Sequence, residues 1–513
     1  MRAAELLDDA CIRWADRVAF RVPGRDELWS YERVRVESDA IAVGLIAAGI
    51  GLGSAVAVLS PNKPEAFIAQ LAVLKTGAAY VPLNAKAKLS DWFGLTRATS
   101  ATGLLFGAEM SVAAQELVEH NQNLAVRFSI GEVDGLTSLE DLVTRHRGAV
   151  PPRLPDNSED PSWIVGSGGT TGVPKAICVP QRALVLQTLA LQAHLLDAAP
   201  IHLVSAPLTH AAGVLTYPVF LQGGETIVLD GARPGEILAA IEKYSVTQIF
   251  MPPTAIYAML AHPQIGDYDY SSLRYFIYTA APMSPSKLEE ALEVFGPVMA
   301  QLYGQAEAPT VCTWFSPAEH VKALNDPSLA HRLSSVGRPS SVASVRVVDD
   351  NGDPLPTGET GEIAVKTQLR FIGYIGAPEE TAKLEANDGY MRTGDIGHID
   401  ADGFVYITDR ARDMIITGGF NVFPSNVEKV IWTHPSVEDC AVIGLPHSHW
   451  GEAVTAVIEL KPGAEEATEE IMALCHQQLG PVQTPKSVIY DSLPRSAVGK
   501  VLKRDLRQKY ASG

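Results

Sequence analysis

The chain reads as an α/β protein of more than one domain, and three observations say so. Its 513 residues exceed what one hydrophobic core usually supports. Short apolar, β-rich runs at 55–59, 104–106, 201–206, 226–229, 248–251 and 275–278 alternate with helix-like stretches through the first two thirds. From 336 to 367 the texture changes to shorter runs separated by turn formers.

Each element follows from its residues. The early runs are short, mostly apolar and alternate with helix-like segments, which predicts buried strands in α/β layers with largely parallel sheets. Between 336 and 367, the runs 345–348 and 362–365 flank Asp350-Asn351-Gly352-Asp353, which predicts antiparallel strands and a small β subdomain. A charged cluster, Thr408-Asp409-Arg410-Ala411-Arg412-Asp413, lies between strand-like 404–407 and 414–416, followed by Gly418-Gly419, and is the expected hinge. Beyond it, helix-like 424–433 and 468–479 and strand-like 440–444, 453–460 and 487–490 suffice for an α+β domain of its own. The expected division is 1–409, a hinge at 410–413, and 414–513.

Composition narrows the function. The chain is 46% hydrophobic and 19% charged, an ordinary folded composition. Its formal net charge of −18 opposes non-specific attraction to nucleic acid or an anionic membrane, so a polyanionic substrate needs a local positive site. Residues 1–20 carry Glu5, Asp8, Asp9, Arg13, Asp16 and Arg17, which interrupt any signal-peptide core. The apolar stretch 41–61 contains glycines and leads into Asn62-Lys63-Pro64, so no integral membrane segment is expected. Five cysteines without C-x-x-C spacing fit reduced thiols and a cytoplasmic location.

The most specific local feature is Ser167-Gly168-Gly169-Thr170-Thr171-Gly172-Val173-Pro174-Lys175, between strand-like 162–165 and 176–179. Its backbone N–H groups can surround phosphate oxygens without Cβ obstruction, and its hydroxyls and ammonium add donors. The spacing is not the Walker pattern. Taken alone, the segment fits a triphosphate cradle and a surface hairpin equally well.

Four further segments accompany it: Tyr303-Gly304-Gln305-Ala306-Glu307, Tyr390-Met391-Arg392-Thr393-Gly394-Asp395, residues 409–420, and Pro494-Arg495-Ser496-Ala497-Val498-Gly499-Lys500. In order and spacing the set resembles the adenylate-forming superfamily of acyl-CoA synthetases, luciferases and peptide-synthetase adenylation domains. Upstream, Leu74-Lys75-Thr76-Gly77-Ala78-Ala79-Tyr80-Val81-Pro82-Leu83-Asn84 extends the likeness over essentially the whole chain. The resemblance implies two stacked βαβ-type subdomains plus a small β-barrel subdomain, followed by a small mobile α+β C-terminal lid.

It also implies an ATP-dependent carboxylic acid:CoA ligase that forms an acyl-AMP, releases pyrophosphate and then makes a thioester. Ser167, Gly168, Gly169, Thr170, Thr171, Gly172 and Lys175 would hold the phosphates, and Glu307 would hold Mg²⁺, which suits one carboxylate plus phosphate oxygens. Ala280, Ala281, Pro282, Gln301, Tyr303, Gly304 and Gln305 would form the adenine side, and Asp395 and Arg410 would meet the ribose and nucleotide. Lys500 would neutralise charge at the α-phosphate. Arg412 would be the pivot that withdraws Lys500 and brings Gly418, Gly419 and Phe420, with Trp450, to coenzyme A. His210, Ala211, Tyr217, Tyr278, Met283 and Gln305 would line the acyl pocket, where Ala211 replaces the aspartate of amino-acid-activating relatives. A fatty, aromatic or alicyclic acid is therefore expected, and a homodimer is compatible with the family.

Three departures accompany the match: Gly168 in place of a serine, Ala306 where Thr or Ser precedes the glutamate, and Val482-Gln483-Thr484-Pro485 in place of aromatic-Lys-x-Pro. They keep two alternatives open: transfer to a carrier protein, and a catalytically silent nucleotide binder.

Overall fold

Three unbroken apolar runs set the first layer. Ala55–Leu59, Ala79–Leu83 and Gly103–Gly107 are strands with every residue buried, the pattern of parallel strands covered on both faces. In a computed structural model, which describes residues 1–166, 175–231, 233–281, 283–447, 449–495 and 501–511 without the side chains of Ala211 and Asn421, they form the middle of a seven-stranded sheet. Its order is 373–374, 176–180, 161–166, 79–83, 55–59, 103–107, 126–130. Neighbours are parallel from 161–166 onward and antiparallel at the other edge.

A second, nine-stranded sheet runs 338–339, 308–315, 299–305, 275–278, 248–251, 201–204, 225–228, 18–21, 28–30. Its six inner strands are parallel, and its outer ones are antiparallel. Between the sheets lies helix Pro64–Thr76, started by a proline at its first position and ended by Gly77 at φ 83°. Every residue of it but Glu65 is buried, as a helix apolar on all sides must be. Phe67, Ile68 and Leu71 share one core with Val56 and Val58 of the first sheet and Val204, Val228 and Ile277 of the second. Lys75 at the end of this helix is buried yet paired, 2.5 Å from Asp39 and 2.6 Å from Asp8.

Contacts divide the chain into two units: Met1–Leu333 with Gly337–Ser344 and Lys366–Leu384, and Ser334–Val336 with Val345–Val365 and Glu385–Gly513. The second unit contains a four-stranded antiparallel sheet, 343–348, 361–367, 391–399, 405–410, whose register fits the turn chemistry at 350–353. It also contains a sheet in which Gly451–Leu460, paired along its length with Val437–His447, also pairs with Ser487–Tyr490 in parallel and, at Gly451, with Ile415–Thr417, which continues to Phe420–Val422. Helices Pro424–Ile431 and Thr468–Gln483 cover that sheet through Val427, Ile431, Ile471 and Cys475. Helix Lys503–Tyr510 packs Leu506 against Ala441, Ile443 and Val457. Within this unit Ser425 N–H donates to Asp409 at 2.8 Å, and buried Glu428 receives Lys503 at 2.7 Å.

The architecture is the expected mixed α/β one, a large N-terminal part and a small C-terminal part. Among the described residues no helix is long and apolar enough to cross a membrane.

Candidate active site

In the first unit the candidate residues gather where the parallel strands of the nine-stranded sheet end. Tyr275–Tyr278 runs out into Thr279-Ala280-Ala281, and Ala280 sits at φ 78°. An alanine there is strained by roughly 1–2 kcal/mol, a cost that native chains concentrate at ligand clamps and active sites. The next strand, Met299–Gln305, turns through Ala306 and Glu307 into Ala308–Phe315. Gly304 is obligatory in that turn, because a Cβ would stand 2.5 Å from the Thr310 nitrogen. Thr310 itself is left-handed at φ 59°, and its hydroxyl accepts from Gln187 Nε2 at 2.7 Å. Tyr303 and Gln305 are half-buried beside it.

Glu307 is fixed twice by one edge segment. Its carbonyl accepts from Phe371 N–H at 2.8 Å, and its Oε1 accepts from the Tyr374 hydroxyl at 2.7 Å. Tyr374 lies on the two-residue strand Gly373–Tyr374, which pairs with Ala176–Pro180 directly after Lys175. The Lys175 ammonium stands 4.9 Å from the centre of the Tyr374 ring and 2.8 Å from Glu380 Oε2. Hydrogen bonds from Lys175 and then Lys383 hold the Glu380 carboxyl down at about 2. Sequence reasoning missed Tyr374 and Glu380; the Gly373-Tyr374 pair ahead of Pro378-Glu379-Glu380-Thr381 is the only local cue.

The acyl-pocket candidates fall into distinct environments. His210 begins helix Ala211–Leu221, with Nδ1 2.9 Å from Thr209 Oγ1. Burial pushes its imidazole down to about 4, so it is neutral at pH 7. Gly213 permits this turn, since a Cβ would lie 1.9 Å from the Leu208 oxygen. Tyr217 is enclosed in the core, its hydroxyl accepting from Gln70 and its ring edge-on to Phe67. Tyr278 is equally enclosed, packed in one cluster with Met283. His320 donates Nδ1–H to the Ser316 carbonyl at 2.8 Å, which leaves Nε2 to accept from Tyr278 at 2.8 Å. Gln301 Oε1 lies 3.3 Å from the same hydroxyl.

The second unit holds the remaining candidates. Buried Asp395 directly faces Arg410 across antiparallel strands, with Oδ1 2.9 Å from Nε. Gly394 before it is at φ 72° and donates its N–H to Glu362 at 2.9 Å. Arg412 lies in the single turn Ala411–Asp413, where Arg507 holds Asp413 at 2.9 Å. Gly418 and Gly419, at φ 58° and 83°, form the two-residue turn between Ile415–Thr417 and Phe420–Val422, a geometry requiring positive φ at both positions. Gly418 donates its N–H to the Trp450 carbonyl at 2.8 Å, and a Cβ on it would press the Trp450 ring at 3.1 Å. Trp450 and Phe420 are 39% and 60% exposed, with His449 edge-on to Trp450 and the Lys486 ammonium 5.7 Å from its ring.

The candidates Ser167, Gly168, Gly169, Thr170, Thr171, Gly172, Pro282 and Lys500, and the side chain of Ala211, lie outside the described residues. No group of three or more His, Cys, Asp or Glu that could hold a metal occurs among the described residues. Glu307 alone fits a hard cation that takes its remaining ligands from phosphate oxygens and water.

Comparison with known proteins identifies the arrangement. The family model of AMP-binding enzymes matches residues 7–375, and the model of their C-terminal domain matches 426–500. The medium/long-chain-fatty-acid–CoA ligase FadD8 of Mycobacterium tuberculosis is 37% identical over 91% of this chain and 83% of its own length. A feruloyl-CoA synthase of Amycolatopsis is 33% identical over 92% and 91%. Among solved structures, the amide bond synthetase McbA of Marinactinospora thermotolerans superposes with a TM-score of 0.89 at 29% identity, covering 99% of this chain and all of that one. ATP-bound MatB of Rhodopseudomonas palustris gives 0.87 at 28%, covering 100% and 99%. The chain belongs to the AMP-binding, adenylate-forming enzymes and is an ATP-dependent ligase of their acyl-CoA synthetase class.

Proposed function

We propose that this chain joins a fatty, aromatic or alicyclic carboxylic acid to coenzyme A, with Lys175 and Glu307 serving the pyrophosphate leaving group of the first step. The observation that carries the assignment is their attachment to one residue, Tyr374, at the carboxyl edge of the parallel strands, the usual ligand position of open α/β sheets.

A carboxylate is a poor electrophile, because a thiolate attacking it would have to expel an oxide. In the first half-reaction a carboxylate oxygen bonds to the α-phosphorus of ATP and the bond to the β-phosphate oxygen breaks. Lys175 and residues 167–172 hold the departing charge, and Lys500 meets the charge building at phosphorus. Glu307 would hold Mg²⁺, which when bound would supply neutralising charge to the phosphate oxygens. Asp395 accepts from the ribose hydroxyls, oriented by Arg410. In the second half-reaction the thiolate of coenzyme A bonds to the acyl carbon and AMP leaves. The Gly418-Gly419 turn, Phe420 and Trp450 receive its pantetheine arm, after rotation at Arg412.

Neutral His210 and the alanine after it offer no charge to pair a substrate ammonium, which disfavours an amino acid because a buried unpaired charge is costly. Relatives named for fatty, feruloyl and indoleacetate acids support the same class. Five free cysteines fit a reducing cytoplasm.

The test is pyrophosphate release on a panel of carboxylic acids, followed by thioester formation with free coenzyme A. Lys500→Ala should abolish adenylate formation while sparing thioester formation from supplied acyl-adenylate. Release without any thioester would move the assignment to a carrier-protein acceptor, and no release with any acid would sink it.

A further inference from the structure

We propose that Tyr374 is the positioning residue that couples the metal carboxylate to the phosphate lysine. The inference rests on the reading of Lys175 and Glu307 given above and adds a residue to which the family match alone assigns no role.

The geometry is specific. One aromatic side chain presents its hydroxyl to Glu307 Oε1 at 2.7 Å and its ring to the Lys175 ammonium at 4.9 Å. The hydroxyl takes up one carboxylate oxygen and fixes the plane of the group, which leaves Oε2 for a cation. The ring face attracts the ammonium through its quadrupole without neutralising it, so the lysine keeps its full charge for phosphate. A carboxylate in the place of the ring would compete with phosphate; Glu380 does so at 2.8 Å, but through a pair more than a third exposed on both partners.

The backbone explains why this tyrosine can act as a gauge. Gly373 and Tyr374 pair with Cys178 and Ile177, and Ile375 N–H donates to the Ala176 carbonyl at 2.9 Å. Phe371 N–H, three residues before Tyr374, bonds to the Glu307 carbonyl. A five-residue segment thus ties the strand that follows Lys175 to the hairpin that carries the metal carboxylate. The Phe371 ring packs edge-on against Tyr374 at 5.1 Å and limits its swing. Thr381 closes the segment, its Oγ1 accepting from Tyr374 N–H at 2.9 Å.

The experiment measures equilibrium binding of ATP by calorimetry, with EDTA and across a Mg²⁺ titration, for the wild type, Tyr374→Phe, Tyr374→Leu and Glu307→Gln. Tyr374→Phe keeps the ring and loses the hydroxyl. It should raise the Mg²⁺ concentration for half-maximal tightening of ATP by about 3- to 10-fold, the effect of losing one hydrogen bond of ordinary net strength, and leave binding in EDTA within about 2-fold. Tyr374→Leu should weaken ATP in EDTA as well, because the lysine loses its platform. Thermal melting of each variant separates a loosened fold from a loosened site, and the near-isosteric Phe variant is expected to melt with the wild type. If Glu307→Gln shifts the Mg²⁺ dependence but Tyr374→Phe does not, or shifts both conditions equally, the role of Tyr374 is refuted. If Glu307→Gln itself leaves the Mg²⁺ dependence unchanged, the metal assignment underneath it fails instead.

Discussion

The phosphate edge of the first unit and the glycine hairpin of the second are built in opposite ways. At the phosphate edge, half-buried charged groups hold one another: Glu307 on Tyr374, Lys175 on Tyr374 and Glu380. At the hairpin, the backbone itself is presented, with Gly418-Gly419 beside the exposed faces of Phe420 and Trp450. On the function proposed above, the difference teaches what each half-reaction needs. Expelling pyrophosphate requires fixed charges whose orientation cost is met before the substrate arrives. Admitting a thin, flexible arm to an acyl carbon requires an unobstructed backbone and a ring to lie on.

Breaking the charged side should give the largest effect. Glu307→Gln keeps the shape and removes the charge, so adenylate formation should fall by about 10²- to 10³-fold, the usual result of deleting one preorganised electrostatic group. Thioester formation from supplied acyl-adenylate should change by less than about 3-fold. Equal losses in the two half-reactions would erase the contrast between the regions.

Acid should sharpen it next. Burial pushes His202, His210 and His320 down to about 4, and all three lie in the first unit. An imidazole kept neutral in the folded chain takes its proton only after the unfolded chain has, from 6.5 downward. Stability is therefore lost as pH drops from about 6.5 towards 4, by up to roughly 3 kcal/mol per fully buried imidazole. Denaturant melts followed at Trp29, in the core of the first unit, should show a falling midpoint over that window. His320→Gln should flatten the slope, and a slope unchanged by it would remove His320 from the cause.

The hairpin side should respond more gently and in the other half-reaction. Gly418→Val places a β-branched residue at φ 58° against the Trp450 ring, a strain of about 1–2 kcal/mol. Thioester formation should fall about 10-fold with adenylate formation retained. Trp450→Ala should raise the KM for coenzyme A by about 3- to 10-fold, the worth of one half-exposed ring contact, without altering pyrophosphate release.

How far the sequence reached differs between the same two regions. Strands 55–59, 248–251 and 275–278 stand where apolar runs place them, because burial on both faces leaves a continuous signal. The Gly418-Gly419 pair stood out in the sequence, but the turn it makes between Ile415–Thr417 and Phe420–Val422 was not read from it. The two-residue strands 338–339 and 373–374 carry no periodicity, so the partners they bring, Tyr374 above all, were invisible. The hydroxyl partners of Tyr217 and Tyr278 depend on Gln70 and His320, 147 and 42 residues away. Local pattern marks such tyrosines as apolar-facing and says nothing of whether pocket or core receives them.

The smallest expected effect concerns Glu380 and has a definite sign. Its carboxylate sits 2.8 Å from the Lys175 ammonium, with both side chains more than a third exposed. Such exposed pairs contribute little. A phosphate approaching Lys175 must displace or share that carboxylate, so Glu380→Gln should tighten ATP by about 1.4- to 5-fold. Lys383, which also binds Glu380, shares the same charge and lowers the gain towards the bottom of the range. Because salt screens exposed charges within about 10 Å at 0.1 M, the difference between variant and wild type should shrink as ionic strength rises. Weaker ATP binding in Glu380→Gln would mean instead that the carboxylate steers the ammonium towards the phosphates, and the phosphate edge would then be positioned by charge pairing as well as by Tyr374.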